Sequence, residues 1–513
     1  MAENVRVRFA PSPTGFPHIG NIRTALFNWL FARRHGGKFI VRVEDTDQDR
    51  LVPGASEAVL DALEWLNLQW DEGPRVGGPH APYIQSERLN IYHQMAEDLV
   101  ERGLAYRCYC PEERLERMRE AQLRSAHPPG YDRRCRHLSQ GERRSLEAAL
   151  SGSAALSGSA ALSGSAALSG STEVGPWVIR FAMPTSGVTV FDDLVHGEVI
   201  WQNQLLDDFV LIKSDGFPTY HMAVVADDHL MEISHVLRAE EWLPSAPRHL
   251  QLHRALDFAP PKFAHLPMIL GPDRAKLSKR HGARAVLEYR DDGFLPEALT
   301  NFLVLLGWSL DDKTEIMTPQ TLVEHFSLER VNKSAAIFDQ EKLAWMNGIY
   351  IRRLSTEELA DRLMPFLERD LPPNLLPVDR NYLMRIVPLL QERTKLLADA
   401  AELTSYFFQA VLDYDSEILV QKGMDRQGAL AALTAALDEL SRASSFEHEP
   451  LERSLREAAT RLSLSPRQFF GTLRVAATGR QASPPLFETL EVLGRERVLE
   501  RVQCAIERLR NTA

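Results

Sequence analysis

Pro11-Ser12-Pro13-Thr14-Gly15-Phe16-Pro17-His18-Ile19-Gly20-Asn21 decides the fold, because of what lies on either side of it. Before it, Val5 to Phe9 alternates as a strand does. After it, Ile22, Ala25, Leu26, Trp29 and Leu30 recur at helical spacing within Asn21 to His35, and Gly36-Gly37 ends the run. Phe39 to Val43 then reads as a second strand. Strand, helix and strand make a βαβ unit, the start of a parallel α/β nucleotide-binding fold. The loop delivers His18 and Gly20 to a helix N-terminus, where free N–H groups and the positive dipole end attract anions. Gly20 allows close backbone approach, His18 can donate to a phosphate oxygen, and Pro11, Pro13 and Pro17 stiffen the loop.

Further along, Phe209 to Ile212, the turn Ser214-Asp215-Gly216, a helical stretch and the strand Ile233 to Arg238 repeat that texture. Lys276-Leu277-Ser278-Lys279-Arg280 follows, between the turn signals Gly271-Pro272 and His281-Gly282. This predicts a mobile loop carrying two separated ammonium groups and a helix-capping serine. In a reaction that expels pyrophosphate, negative charge grows on the phosphate oxygens. Cations closing on that charge favour the transition state over the ground state, each by about 2–4 kcal/mol.

The chain has 513 residues, enough for about three to five domains. Its 44% hydrophobic and 25% charged residues describe an ordinary soluble protein, and no apolar run reaches membrane-spanning length. Met1 to Phe9 carries no hydrophobic signal region, so the cytosol is the expected compartment. The net charge of −11 does not suggest nucleic-acid binding, but binding depends on where the positive face lies. Arg114, Arg117, Arg119, Arg124, Arg133, Arg134 and Arg136 crowd one segment, which reads equally as a solvated helix face.

Four cysteines exclude a disulfide scaffold. Cys108-x-Cys110 followed by Cys135-x-His137 offers thiolates and an imidazole suited to a tetrahedral Zn²⁺, with free, buried cysteines as the alternative, and Cys504 stands apart as an expected core residue. Ala148 to Ser153 begins a six-residue unit repeated in tandem to Ser171, read as a flexible linker without chemistry, because the alternative, a short Ala-rich helix, is interrupted by a glycine every six residues. Beyond about residue 335 the patterns are helical. Ser355-Thr356-Glu357-Glu358 is a capping-box signature, and Gln427 to Leu440 and Ser463 to Val475 are further helices.

A His-x-Gly helix start paired with a distant Lys-x-Ser-Lys loop resembles the apparatus that class I aminoacyl-tRNA synthetases wrap around ATP. Over nearly its full length the chain resembles the bacterial glutamyl-tRNA synthetases. The blocks that carry this are Arg8 to Gly15, Arg42-Val43-Glu44-Asp45-Thr46-Asp47, Pro218-Thr219-Tyr220-His221, Asp227-Asp228, Leu237-Arg238-Ala239-Glu240-Glu241-Trp242 and Trp345-Met346-Asn347-Gly348, in that family's order. Asn21 stands where the family motif has a second histidine.

The resemblance implies a Rossmann-type class I catalytic core with an inserted acceptor-binding domain and an all-α anticodon-binding region. The expected segments are 1–105 and 206–265 for the two halves of the core and 106–205 for the insertion, with its zinc knuckle and the 148–171 repeat. Residues 266–335 form a stem-contact region and 336–513 the anticodon domain. It implies an ATP site at His18, Ile19, Gly20, Asn21 and Lys279, with His18, Gly20, Lys276, Ser278 and Lys279 acting in catalysis. It implies a glutamate pocket of Arg8, Ala10, Ser12, Glu44, Tyr220, Arg238 and Trp242. The chemistry agrees, since two carboxylates and one ammonium call for fixed cations and one anion. Val224 occupies a position where some members carry asparagine. Near the anticodon it places Arg393, Arg474, Ser483, Pro484 and Leu486.

The expected reaction is ATP-dependent ligation of L-glutamate to the terminal adenosine of tRNA(Glu) through glutamyl-adenylate, with Mg²⁺ accompanying ATP, by a monomer with no membrane partner. Activation is expected to require tRNA, and Arg393 fits a form that charges only its own tRNA. The alternatives are a relaxed enzyme that also charges tRNA(Gln) and a non-catalytic tRNA-binding paralogue. A glutaminyl enzyme would carry β-barrels where this chain is helical.

Overall fold

The opening βαβ unit forms as its pattern predicts. β1 (Arg6–Phe9) and β2 (Lys38–Val41) pair in parallel, Arg6 opposite Lys38 and Phe9 opposite Val41, with α1 (Ile19–Arg34) as the crossover. Gly37 closes the turn against β1: a Cβ there would meet the Val5 carbonyl oxygen at 2.2 Å. The structure, a computed structural model, describes residues 4–125, 130–156, 177–277 and 284–511. The chain divides into two units, residues 1–288 with 300–339 and residues 289–299 with 340–513.

In the first unit the chain continues through α2 (Ala55–Trp65), α3 (Leu89–Glu101), β3 (Ala105–Cys108), α4 (Glu112–Arg124), α5 (Gln140–Leu156), β4 (Val178–Phe181), β5 (Val188–Asp193), β6 (Gly197–Gln202) and β7 (Val210–Ile212). α6 (Tyr220–Leu230), β8 (His235–Ala239), α7 (Ala246–Ala255) and β9 (Lys262–Leu266) follow. β3, β4 and β7 form an antiparallel sheet. A four-stranded sheet runs β6-β5-β9-β8, with β9 parallel to both its neighbours. β5 and β6 therefore belong to this sheet, although they fall within the 106–205 interval. Arg6 ties β1 to the approach of β8: its carbonyl accepts the Ser234 N–H at 2.9 Å and its N–H reaches Ser234 Oγ at 2.8 Å.

Packing follows the residue pattern. Tyr92, Ala96 and Leu99 of α3 bury one helical stripe against Leu211, Met222 and Val225. A fully buried leucine contributes roughly 1.5–3 kcal/mol to that core. α5 corrects the linker reading of the repeat's start. It runs helically to Leu156, through the first copy and into the second, while the remaining copies lie outside the described residues. Alanine and leucine are strong helix formers, and one interior glycine costs only about 1 kcal/mol.

The second unit is helical. Ser355 and Glu358 form the expected capping box on the helix Thr356–Asp370. The helix expected from Ser463 starts instead at Pro466, because Ser465 caps it and proline suits the first helical position. Cys504 corrects the core assignment. On the helix Arg495–Asn511 the inward face holds Val498, Val502, Ala505, Ile506 and Leu509, and Cys504 falls outside it, exposed. No described helix is long and apolar enough to cross a membrane.

Candidate active site

The ends of β1, β2 and β8 and the starts of α1 and α6 border a cleft of about 1480 Å³. Arg8, Ala10, Ser12, His18, Gly20, Asn21, Glu44, Tyr220, Arg238, Trp242 and Lys276 all line it. Ile19 is fully buried in α1 beneath it. Ser278 and Lys279 lie outside the described residues.

At one end sits the helix start. His18 is the N-cap of α1: its Nδ1 accepts the Gly20 N–H at 3.1 Å, and its own N–H reaches Asn21 Oδ1 at 3.2 Å. A backbone N–H only donates, so Nδ1 is bare and the neutral ring carries its proton on Nε2. Desolvation by the cleft walls, followed by the Lys276 ammonium, holds His18 below the ordinary histidine range, against Glu241. Gly20 makes the cap possible, because a Cβ would meet the His18 ring at 3.1 Å. Lys276 is ion-paired with Glu241, and both are well exposed.

The other end is dry and densely charged. Arg8 donates from Nε and Nη2 to the two oxygens of Asp228, at 3.0 and 3.3 Å. Arg42 reaches Asp228 at 2.8 Å and Glu44 at 3.0 Å. The expected fork of Arg8 is thus engaged along one edge by Asp228, leaving its Nη1 without an acceptor among the described residues. Burial raises Asp228, but Arg8 and Arg42 outweigh it and hold the carboxyl below its usual range. For Glu44 burial wins over Arg42 and Arg8, and its carboxyl is pushed up. Arg238 donates to the Tyr220 hydroxyl at 2.8 Å, and the Tyr220 ring packs 4.4 Å from that of Trp242. Val224 is buried in the core beside α3.

Away from the cleft, the Sγ atoms of Cys108, Cys110 and Cys135 lie within 4.8 Å of one another. His137 is exposed and does not join them, contrary to the four-ligand expectation. The short turn Arg134–His137 carries Cys135 inward and leaves His137 outside. The oxygen that does approach is the Tyr131 hydroxyl, 3.3 Å from Cys108 and 3.5 Å from Cys110. Hydrogen bonding from Cys135, then from Tyr131, lowers the Cys108 thiol to about 5 against its burial. A thiolate with two more thiols and a phenol alongside is a donor set that suits zinc.

In the second unit, Arg474 donates to Ser483 Oγ, to the Ser483 carbonyl at 3.2 Å and to the Pro484 carbonyl at 2.7 Å. Burial, then the nearby Arg393, lowers Arg474 from its ordinary value. Arg393 is exposed, whereas Leu486 is buried in the helical core.

Residue patterns gave no warning of Tyr131, nor of His249 and His265, which meet Arg238, and Asp193, which meets His265, from strands and a helix far apart in sequence. Arg42, Glu241 and Asp227-Asp228 lie in blocks that carry the family resemblance, which assigned them no role.

A parallel α/β core with a His-capped helix start, a basic loop and buried arginines defines the class I aminoacyl-tRNA synthetases. A family model for the catalytic domain of class I tRNA synthetases (E and Q) matches residues 4–156 and 157–345, and one for an anticodon-binding domain matches 358–506. Glutamate–tRNA ligase of Dehalococcoides mccartyi is 52% identical over 512 residues, covering 99% of each chain. The Roseiflexus castenholzii protein of the same name is 48% identical, over 98% of this chain and 96% of its own. A crystal structure of a glutamate–tRNA ligase from Elizabethkingia meningosepticum, in complex with its amino acid, superposes with TM-score 0.85 at 34% identity, covering 98% of this chain and 99% of that one. This chain belongs to the glutamate–tRNA ligase family.

Proposed function

We propose that this chain joins L-glutamate to the 3′-terminal adenosine of tRNA(Glu) at the expense of ATP. The observation that carries the reading is the meeting, in one cleft, of a His-capped helix start and Lys276 with the buried cations Arg8 and Arg238 and the anion Glu44. In the first step a glutamate α-carboxylate oxygen attacks the α-phosphorus of Mg-ATP in line. The bond to the bridging oxygen breaks and pyrophosphate leaves. In the second, the 2′-hydroxyl of the terminal adenosine attacks the activated carbonyl, its proton passes to a phosphate oxygen of the leaving group, and AMP leaves.

The His18 Nε2–H and the backbone of Ile19, Gly20 and Asn21 suit the phosphate oxygens. Lys276 and Lys279 supply charge to the departing pyrophosphate, and Ser278 acts with them. Arg8 and Arg238 take carboxylates and Glu44 the α-ammonium, while Ala10, Ser12, Tyr220 and Trp242 shape the pocket. Glutamine is rejected because a neutral amide leaves a buried guanidinium unpaired. No general acid or base is needed: positioning and charge carry the chemistry. A structural zinc would be held by Cys108, Cys110 and Cys135, with the Tyr131 oxygen rather than His137 at hand. The 106–205 segment, apart from β5 and β6, takes the acceptor end. Arg393, Arg474, Ser483 and Pro484 take the anticodon, with Leu486 supporting them from the core. The protein acts as a cytosolic monomer.

Glutamate-dependent ATP–pyrophosphate exchange, with and without purified tRNA(Glu) and tRNA(Gln), tests this. Exchange with tRNA(Glu) alone is expected. Exchange with both tRNAs means relaxed specificity, and exchange with neither sinks the reading.

A further inference from the structure

Arg238 is held from every side. Its Nε donates to His265 Nε2 at 3.0 Å, Nη1 to Tyr220 Oη at 2.8 Å and to His249 Nδ1 at 3.3 Å, and Nη2 to the Trp242 carbonyl at 3.2 Å. One N–H on Nη2 keeps no acceptor among the described residues. An arginine only donates, so His265 Nε2 and His249 Nδ1 are both bare. His265 therefore carries its proton on Nδ1, 2.6 Å from Asp193 Oδ2. His249 carries its own on Nε2, 3.0 Å from His221 Nδ1.

The chain of contacts crosses three neighbouring strands, Asp193 on β5, His265 on β9 and Arg238 opposite it on β8. Asp193, His265, Arg238 and His249 are all buried. Asp193 is itself fixed. Its Oδ1 accepts the N–H groups of Val195 and His196 at 3.0 Å and of His265 at 3.3 Å, and its Oδ2 accepts the His265 N–H at 3.2 Å. A carboxylate that orients an imidazole, which in turn accepts from a substrate-binding cation, controls a tautomer from a distance.

We propose that Asp193 and His265 are positioning residues, which fix the guanidinium of Arg238 through the tautomer of His265 and so prepare its last free N–H for a carboxylate of the amino-acid substrate. This rests on the functional reading above.

Asp193→Asn tests it with almost no change of volume. The Val195 and His196 N–H groups hold Oδ1, while the His265 N–H is shared between the two oxygens, so Oδ1 stays the carbonyl oxygen and the new amide NH₂ turns toward His265. It then donates to Nδ1, moves the imidazole proton to Nε2 and sets N–H against N–H at Arg238. The expected result is a KM for glutamate raised about 10- to 100-fold in tRNA-supported exchange. KM for ATP and Kd for tRNA should stay within about twofold, because a positioning defect touches one substrate. An unchanged KM for glutamate overturns the proposal, as does an equal loss for all three ligands. Should Asp193→Asn fail to fold, His265→Gln and His265→Leu decide. Glutamine keeps an acceptor for Arg238 and retains most glutamate affinity, leucine does not, and equal loss in both overturns the proposal. Inactive wild-type protein would sink the functional reading and this inference together, whereas active wild type with an indifferent Asp193→Asn sinks the inference alone.

Discussion

The two ends of the cleft hold their charges in opposite ways. At the arginine end, Arg8 and Asp228 have side chains only 4% and 5% exposed and are locked together, with Arg42 behind them. At the histidine end, Lys276 and Glu241 are 63% and 44% exposed and pair with each other. Buried, cross-braced ions cannot rearrange cheaply, because separating them leaves an uncompensated charge in a dry site. An exposed pair is worth little and exchanges partners readily. The amino acid therefore meets groups already in place, while the phosphates meet groups still free to close on them.

Removing a group from each end should separate these modes. Arg238→Ala is expected to have the largest effect, lowering kcat/KM for glutamate by about 10³-fold, near 4 kcal/mol, by stripping a desolvated cation. KM for ATP should hold, and an equal fall for ATP would erase the contrast. Lys276→Ala should lower the maximal exchange rate by about 10²-fold, as loss of one preorganised charge does. Here the KM for glutamate is expected to hold, and its rise would mean that the two ends are one rigid device.

Acid should cost the arginine end stability. Burial, followed for His221 by the charges of Arg248 and Arg238, lowers His221 and His253 to about 4. In the unfolded chain each binds its proton near the ordinary 6.5. The unfolded state thus holds more protons between those values, so this stability is complete above pH 6.5 and falls as the pH drops toward 4. The loss is about 1.4 kcal/mol per pH unit for each histidine. Urea midpoints at pH 7 and pH 5 check it, and coincident midpoints would contradict the assignment. The smallest effect is expected from Asn21→Ala, which removes half of the capping box and lowers stability by about 1 kcal/mol. Thermal unfolding measures that, and a loss beyond about 3 kcal/mol would mean that Asn21 does more than cap.

These outcomes bear on what a sequence can reveal. The βαβ unit was legible because strand and helix periods change over within a few residues, and His18, Gly20 and Lys276 because their chemistry is local. The pocket arginines were legible only through a family resemblance, since an arginine beside scattered carboxylates looks like any ion pair. What braces Arg238 was not legible at all. Asp193, Arg238 and His265 come together through strand order β5-β9-β8, and no spacing along the chain encodes that order. Tyr131 was missed because tyrosine is not a usual metal donor, and His137 was wrongly favoured because Cys-x-His looks like one. The end of α5 escaped because a run of small residues reads as linker until a helix enters it.

His18 divides itself between architecture and chemistry. One ring nitrogen is committed to starting α1, which leaves only the other for a reactant. Asparagine could cap the helix without reaching as far, and lysine could reach without capping. Glutamine offers both groups on a looser stem. No other side chain combines an acceptor and a donor on one rigid ring at the required reach, so this position carries two independent demands and tolerance at it should be lower than either demand alone would require.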